Sequence, residues 1–334
     1  MENGSKITIQ QVADKAGVSI ATVSRVLNNK NTVREDTRKQ VLEVAEGMGF
    51  NASSSLADNT SRAILLCVPD LINPFNSSVI EGIQQSAHQN HYRVFILQSK
   101  EKYLDYGDYE EALKNHSFAG IILLTSIMNT ELLELLTISC PIVMCSEYCD
   151  VNGVSFVSID DVKSACRATE YLISLGCRKL ALLNFSLQFR FARHREQGFD
   201  EALQKAGLEK NPDWIAHLSS IDYQLAYSNA LHILSLPDPP DACFAVSDVY
   251  AVAMIHAAKK SGFRVPGDLS VIGFDNIDLA SMTDPSITTM AQPGRMIGFQ
   301  ASELLIEKIN NPRMAKKRII LNTELIVRES TARL

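Results

Sequence analysis

From residue 63 onward, short and continuously apolar runs alternate with stretches of helical character. The runs are AILLCVPD (63–70), YRVFILQS (92–99), GIILLTS (120–126), PIVMCSE (141–147), KLALLNF (179–185), ACFAVSD (242–248) and LSVIGFD (269–275). A strand without polar alternation is covered on both faces, which is typical of parallel sheets packed between helices. We expect about ten strands of this kind in two sheets, and hence an α/β body of two lobes with a cleft between them.

Polar residues follow the predicted strands at their carboxyl ends. They are Asp70, Ser126, Ser146, Ser186, Ser247–Asp248 and Asp275. In open α/β sheets, ligands bind at this edge, where the strand order changes. The cleft is therefore the expected place for a small ligand.

Residues 7–49 carry three short helical patterns instead. Thr8 is placed to N-cap the first helix, and Ser19 is placed to N-cap the second. Gly17 lies in the short connection between them, where it is free to adopt a positive φ. A third helix is predicted from about Arg34 to Gly49. Two helices joined by a short glycine-containing turn form the helix-turn-helix arrangement, whose second helix fits the major groove of DNA.

The second helix offers a small polar surface to a partner. The side chains expected on this surface are Ile20, Ala21, Thr22, Ser24, Arg25 and Asn28, with Thr8 at the start of the first helix. Ser19, Thr22 and Ser24 are short donors that suit phosphate oxygens. Arg25 is able to bind the O6 and N7 atoms of guanine with two hydrogen bonds. An ordinary helical hairpin with a solvated polar face fits these residues equally well, so the pattern alone leaves both interpretations open.

Composition and motifs exclude several other classes. The 334 residues suffice for two or three domains, and no run of about 20 apolar residues is present to cross a membrane. The first residues show no apolar signal segment, and the seven cysteines lack a paired spacing, so we expect a cytoplasmic protein with reduced thiols. The net charge of −6 does not by itself indicate nucleic acid.

Motifs for catalysis are missing as well. The sequence has no glycine fingerprint for a dinucleotide, no P-loop and no zinc-protease or hydrolase motif. His88 and His91 share a spacing that suits one helix face, but no third ligand lies nearby in the sequence. We expect a protein that is not an enzyme, needs no cofactor and holds no metal.

The stretch TIQQVADKAGVSIATVSRVLN (8–28) resembles the N-terminal signature of the LacI/GalR family of bacterial transcriptional repressors. The resemblance covers the whole chain. The other matching stretches are VPDLINPF (68–75), REQGFDEAL (195–203), SDVYAVAM (247–254) and VPGDLSVIGFDNIDLASMTDPSITTMAQP (265–293).

This resemblance implies three parts. Residues 1–50 form the helix-turn-helix domain, residues 51–62 a hinge linker, and residues 63–334 an effector-binding and dimerisation domain like the periplasmic sugar-binding proteins. Within that domain the N-lobe is expected at about 63–160 and 292–320, and the C-lobe at about 161–291 and 321–334.

The family also implies a homodimer that reads two half-sites of palindromic, double-stranded operator DNA. In the family, the hinge forms a short helix on DNA and inserts a leucine into the minor groove, and Leu56 matches that leucine. This chain departs from the pattern, because its hinge is shorter, lacks the usual Pro-Asn pair and places Asp58 near phosphates.

Carried over position by position, the family's effector pocket falls on Asn73, Phe75, Arg195, Asp248 and Asp275. Arg195 and Asp275 suit the hydroxyls of a sugar or ribose, and Phe75 suits an apolar ring face. Asp248 and Asp275 are also placed to cap the helices after their strands, which is the alternative role.

Two further features near this pocket stay open. In FRFARHR (189–195), Arg190 and Arg193 either reach the effector or are solvated. Tyr223 offers an aromatic ring near the family's lid position.

The expected function is a sequence-specific transcriptional regulator of LacI type, acting as a repressor and switched by a small sugar or nucleoside. The alternative is a two-lobed small-molecule binding protein without regulatory DNA binding. That alternative shares the two lobes but does not account for residues 7–49.

Overall fold

The computed structural model describes residues 9–27, 33–48, 62–98, 118–124, 133, 137, 140–149 and 154–332. The chain divides into two compact units, Met1–Arg62 and Ala63–Leu334. Among the helices of these described residues, none is long and apolar enough to cross a membrane.

The first unit contains the helices α1 (Ile9–Ala16), α2 (Ile20–Leu27) and α3 (Glu35–Gly47). Their buried side chains form one small cluster of Val12, Ala13, Ala16, Val23, Val26, Val41 and Ala45. Gly17 has a φ of +65°, which gives the turn between α1 and α2 its tight left-handed step. The predicted helix-turn-helix is therefore confirmed.

The first sheet of the second unit belongs to the N-lobe. Its strands are β1 (Ala63–Val68), β2 (Arg93–Gln98), β3 (Gly120–Leu123), β4 (Ile142–Cys145), β5 (Ser155–Ile159) and β11 (Arg318–Leu321), in the order β11-β5-β4-β3-β1-β2. Every neighbouring pair is parallel. All six residues of β1 are buried, as its continuous apolar run predicts.

The second sheet belongs to the C-lobe. Its strands are β6 (Leu180–Phe185), β7 (Ile215–Leu218), β8 (Ala242–Ala245), β9 (Ser270–Asp275), β10 (Thr288–Ala291) and β12 (Glu324–Ile326), in the order β12-β10-β9-β8-β6-β7. Its neighbouring pairs are parallel except β10 with β12, which is antiparallel. The expected α/β fold with two parallel sheets is confirmed, with this one edge strand reversed.

Helices pack on both sheets, although the edge strand β2 keeps exposed side chains. They are α4 (Pro74–Gln89), α5 (Asp161–Ser174), α6 (Arg190–Ala206), α7 (Tyr223–Leu234), α8 (Asp248–Lys260), α9 (Leu279–Met282) and α10 (Gly294–Asn310), with a 3₁₀ turn at Pro212–Trp214. In the N-lobe α4 packs on α10, and in the C-lobe α5 packs on α6 and α7 on α8. Small residues allow these close approaches: a Cβ atom on Gly82 of α4 would lie 1.9 Å from the carbonyl oxygen of Arg295 in α10.

The described chain crosses between the lobes three times, at residues 159–161, 291–294 and 321–324. Each crossing leaves from the carboxyl end of a strand in a parallel sheet. The carboxyl ends of both sheets therefore border the cleft, which places the polar residues that follow the strands where a ligand would lie.

Candidate functional site

A cavity of about 500 Å³ lies between the two lobes. Its walls come from the ends of strands β1, β2, β3, β4, β6, β7, β8 and β9 and the segments that follow them, and from the crossing after β10. Four of the five predicted effector residues line it, namely Asn73, Phe75, Arg195 and Asp275.

The N-lobe wall is a loop held by its own side chains. Asp70 Oδ1 accepts hydrogen bonds from the backbone N–H groups of Ile72 (2.9 Å) and Asn73 (2.7 Å). Asn73 Oδ1 accepts one from the N–H of Phe75 (3.1 Å) and so N-caps α4. These bonds fix the loop conformation before α4 begins, so that Asn73 and Phe75 reach the cavity from a rigid support.

Arg195 reaches the cavity from α6, and two of its guanidinium nitrogens already donate hydrogen bonds within the protein. Its Nε donates to Asp161 Oδ1 over 2.8 Å, and its Nη1 donates to the carbonyl oxygen of Val246 over 2.7 Å. Its guanidinium carbon lies 3.7 Å from the ring centroid of Phe274. Burial raises the pKa of Asp161, and the positive charge of Arg195 opposes that rise. The sequence pattern did not identify Asp161 as the partner of this arginine.

Asp275 ends β9 with a φ of +105°, a left-handed conformation that is rare outside glycine. Its Oδ1 accepts a hydrogen bond from Gln292 Nε2 over 2.7 Å. Burial raises the pKa of Asp275 to about 6, although Arg195 acts in the opposite direction. A strained backbone at a ligand-facing carboxylate is typical of binding sites.

Gln292 is a cavity residue that the sequence analysis missed. It lies on the crossing after β10, it is only 9% exposed, and its Oε1 has no hydrogen-bond partner among the described residues. A buried acceptor without a partner is costly, so it is suited to accept a hydrogen bond from a ligand. Its position directly after a buried strand was the available signal.

Asp248 is not among the residues that line the cavity, and its expected contact with an effector stays a prediction. Its side chain is fully buried, with Oδ1 accepting from Thr289 Oγ1 (2.6 Å) and Oδ2 from the N–H of Ile277 (2.9 Å). Burial and the neighbouring charge of Asp275 raise the pKa of Asp248 to about 8. Asp248 thus holds the loop after Asp275 through the N–H of Ile277. Its neighbour Ser247 lines the cavity and N-caps α8 with its Oγ.

Three phenylalanines form an aromatic wall. The rings of Phe185, Phe189 and Phe191 all line the cavity, with centroids 4.9 to 6.1 Å apart. Arg190 and Arg193 of the same run do not line it. Tyr223 points elsewhere as well, since its hydroxyl is 2.8 Å from Nδ1 of His256.

The cavity carries more negative than positive side chains. Four carboxylates line it, those of Asp70, Glu147, Asp222 and Asp275. Among the described residues that line it, Arg195 is the one basic side chain. Because Arg195 is already paired with Asp161, little positive charge remains for an anion.

The predicted DNA-facing residues are only partly described. Ser19 precedes α2, its Oγ accepts from the N–H of Thr22 over 3.2 Å, and the two hydroxyl oxygens lie 2.9 Å apart. Ile20 is exposed, as predicted. Ala21, Ser24 and Arg25 lie within α2, whereas Thr8, Asn28 and Leu56 lie outside the described residues. In the described part of the chain, no group of three or more His, Cys, Asp or Glu side chains is suited to hold a metal.

Comparisons with known families match both units. Residues 8–53 match the bacterial regulatory proteins of the lacI family, and residues 169–331 match a periplasmic binding protein-like domain. The HTH-type transcriptional repressor CytR of Escherichia coli (strain K12) is 33% identical over 329 residues, which cover 97% of this chain and 96% of that protein. The HTH-type transcriptional regulator DegA of Bacillus subtilis (strain 168) is 33% identical over 334 residues, covering 98% of each.

Solved structures show the same similarity. The transcriptional regulator CelR in complex with cellobiose aligns with a TM-score of 0.73 and 26% identity, over 97% of this chain and 99% of that chain. A LacI family transcriptional regulator from Enterococcus faecium with bound ribose aligns with a TM-score of 0.73 and 25% identity, over 81% of this chain and 99% of that chain. The stretches ILLCVPDLINPF (64–75), IGFDNIDLASMTDPSITTMAQP (272–293) and ELIVRESTARL (324–334) predict a resemblance to the cytidine repressor within this group, and CytR is among the relatives that match.

Proposed function

The chain belongs to the lacI family of bacterial regulatory proteins and is a DNA-binding transcriptional regulator rather than an enzyme; we propose that it acts as a repressor. In this proposal it binds a palindromic operator as a homodimer in the cytoplasm. A small sugar or nucleoside in the interlobe cavity switches it. The observation that carries the proposal is the presence, in one chain, of a helix-turn-helix and of a cavity built at the carboxyl ends of two parallel sheets.

The effector is uncharged in this proposal. Four carboxylates and the acceptor oxygen of Gln292 face a cavity whose one lining arginine is already paired. Such walls favour a ligand rich in hydroxyl or N–H donors, and they repel phosphate. The aromatic wall of Phe185, Phe189 and Phe191 adds an apolar surface for a ring. A pentose, a disaccharide and a nucleoside all fit this description.

A second copy of the chain is proposed to cover an exposed apolar surface. Met282 is 74% exposed, Met296 49% and Leu279 39%, and all three line an open recess of about 1170 Å³ beside α4 and α10. Apolar patches of this kind are typical of interfaces in otherwise polar surfaces. Two helix-turn-helix units in one dimer also match the two-fold symmetry of a palindrome.

Switching follows from linkage between the two ligands. An effector that binds one arrangement of the lobes better than another shifts the equilibrium between them. If DNA prefers the other arrangement, each ligand weakens the binding of the other by the same factor. Effector binding then releases the operator.

A gel-shift assay with palindromic operator-like DNA tests the core of this proposal, and calorimetry with ribose, cellobiose and adenosine tests the cavity. We expect specific DNA binding that one of these compounds relieves, while ribose 5-phosphate and AMP bind at least about tenfold more weakly than ribose and adenosine. A protein that binds a sugar but no DNA would instead be a two-lobed binding protein, which is the alternative that residues 7–49 disfavour.

A further inference from the structure

Glu147 lies in the N-lobe, but its carboxylate contacts the C-lobe. It follows β4 through a sharp turn in which Ser146 has a φ of +67°. Two hydrogen bonds hold that turn: the N–H of Ser146 donates to the carbonyl oxygen of Val157 over 2.8 Å, and Ser158 Oγ donates to that of Ser146 over 2.6 Å. The two hydrogen bonds to β5 hold Ser146 in its left-handed conformation. The direction in which the chain leaves Ser146 is therefore fixed. The sheet therefore directs Glu147 and Tyr148 toward the cleft.

Helix α6 receives its N-terminal cap from that side chain. Phe189 stands at its N-cap position and makes no side-chain capping bond. Glu147 Oε1 accepts a hydrogen bond from the backbone N–H of Phe191, in the first turn of α6, over 2.9 Å. A carboxylate here satisfies a first-turn amide and lies at the positive end of the helix dipole. A helix of the C-lobe is thus capped by a side chain of the N-lobe.

Arg190 makes a second contact across the cleft. Its guanidinium carbon lies 3.9 Å from the ring centroid of Tyr148. The Tyr148 ring stacks in turn on Phe156 of β5, with centroids 3.9 Å apart and planes 7° from parallel. A cation over a supported aromatic face is a favourable contact. This contact joins the same two short segments as the bond from Glu147, so both must break when the lobes separate.

We propose that Glu147 is a positioning residue that couples closure of the lobes to the placement of α6 and of Arg195 on it. Arg195 lies about one helical turn beyond Phe191 on α6. When the first turn of α6 loses its cap, the helical segment that carries the Arg195 guanidinium becomes less ordered. The chain itself then supplies part of the free energy of closure. The apparent affinity for an effector falls as the closed population falls. This inference rests on the proposed function in that it takes the cavity to be the effector site.

Hydrogen–deuterium exchange on the full chain tests this without a ligand. We expect Glu147→Ala to raise exchange in residues 187–195 by about 5- to 30-fold, as the loss of an N-cap implies. Exchange must also rise at Phe75 and Asn76 of the opposite wall, because these residues are only 7% and 6% exposed and gain solvent when the lobes open. Glu147→Gln keeps an acceptor oxygen and should restore most of the protection. Glu201→Ala is the matched control, since Glu201 lies on α6 and contacts Gln197 of the same helix.

A rise confined to residues 187–195 would make Glu147 a local cap and overturn the proposal, and so would unchanged exchange in Glu147→Ala. If that variant does not fold, Tyr148→Leu removes the other contact and must raise exchange on both walls. Calorimetry with whichever of ribose, cellobiose and adenosine binds the unmodified chain should show about 3- to 30-fold weaker binding to Glu147→Ala. The gel shift reports on DNA binding independently, so failure of the proposed function and failure of this inference are distinguishable.

Discussion

Arg195 Nε donates a hydrogen bond to Asp161 Oδ1 over 2.8 Å, and each of the two side chains is only 7% exposed. Arg195 lines the cavity, whereas Asp161 is not among the lining residues. Any change to Arg195 therefore acts on the proposed ligand site and on a buried carboxylate at the same time, and an experiment must separate the two effects.

We expect Arg195→Ala to abolish the effector response and also to lower the free energy of unfolding by roughly 3–5 kcal/mol, because Asp161 is left buried without its partner. The double variant Arg195→Met/Asp161→Leu should recover most of that stability and still not respond. Chemical unfolding measures the first quantity, and effector titration in a gel shift measures the second. A double variant that responds at the usual concentration would show that Arg195 does not contact the effector.

Asp275→Ala provides the companion test, because Asp275 faces the cavity. It should lose the response and keep operator affinity, at a cost of about 1–3 kcal/mol in effector binding.

Stability should fall as the pH rises from about 4 to about 8. The pKa of Asp248 is raised to about 8 in the folded chain by burial and by Asp275, so between its ordinary value and 8 the folded state holds a proton that the unfolded state has lost. Asp275, with a pKa of about 6, acts in the same direction over a narrower range. Asp248→Asn should flatten the dependence of the melting temperature on pH. If the slope of melting temperature against pH does not change, Asp248 is charged in the folded state at neutral pH.

Arg25→Ala should weaken operator binding by roughly 1–3 kcal/mol and reduce the discrimination between operator and random DNA, because a bidentate contact to guanine carries sequence information. Competition gel shifts with both DNAs measure this. Equal losses on the two DNAs would instead identify a phosphate contact.

Leu56→Ala should weaken operator binding far more than binding to random DNA, since an apolar wedge acts only where the duplex is kinked. Asp58→Asn is the control in the same linker and should leave or improve affinity for both DNAs by removing a charge near phosphates. If Leu56→Ala binds the operator normally, the linker inserts no wedge and specificity rests on the helix-turn-helix.

Met282→Asp should weaken the proposed homodimer by about 10- to 100-fold, because a charge would replace an exposed methionine that the proposed interface buries. Sedimentation equilibrium measures the change. Leu187→Asp, at an exposed leucine away from that recess, should leave the dimer intact. Equal weakening by both variants would show that the recess is not the interface.

Local patterns predicted the elements well. The seven apolar runs all became strands, and Gly17 and Ser19 stand where the helix-turn-helix needs them. These features depend on residues close together in the sequence, so their spacing is sufficient. The strands β5, β7, β10, β11 and β12 were not identified individually, because polar or charged residues interrupt or begin their short apolar runs, namely Ser155, His217, Thr288, Arg318 and Glu324.

The site was harder to predict, because its contacts join distant residues. Asp248 and Asp275 both follow apolar strands, yet only Asp275 reaches the cavity while Asp248 turns inward to Thr289. The partners Asp161 and Gln292 are separated from Arg195 and Asp275 by 34 and 17 residues. No local pattern specifies such pairs, which form only once the helices and strands that carry them pack together.

The three crossings between the lobes have a consequence for how the chain is made. Strand β11 is the edge strand next to β5, and strand β12 is the edge strand next to β10, so each lobe receives a strand from the last part of the sequence. A nascent chain that lacks residues 318–326 leaves β5 and β10 with open edges in both lobes at once. Neither lobe is encoded by one continuous stretch of the gene. Neither sheet is therefore complete until residues 318–326 have joined it, and no single cut in the gene separates the lobes into two whole proteins.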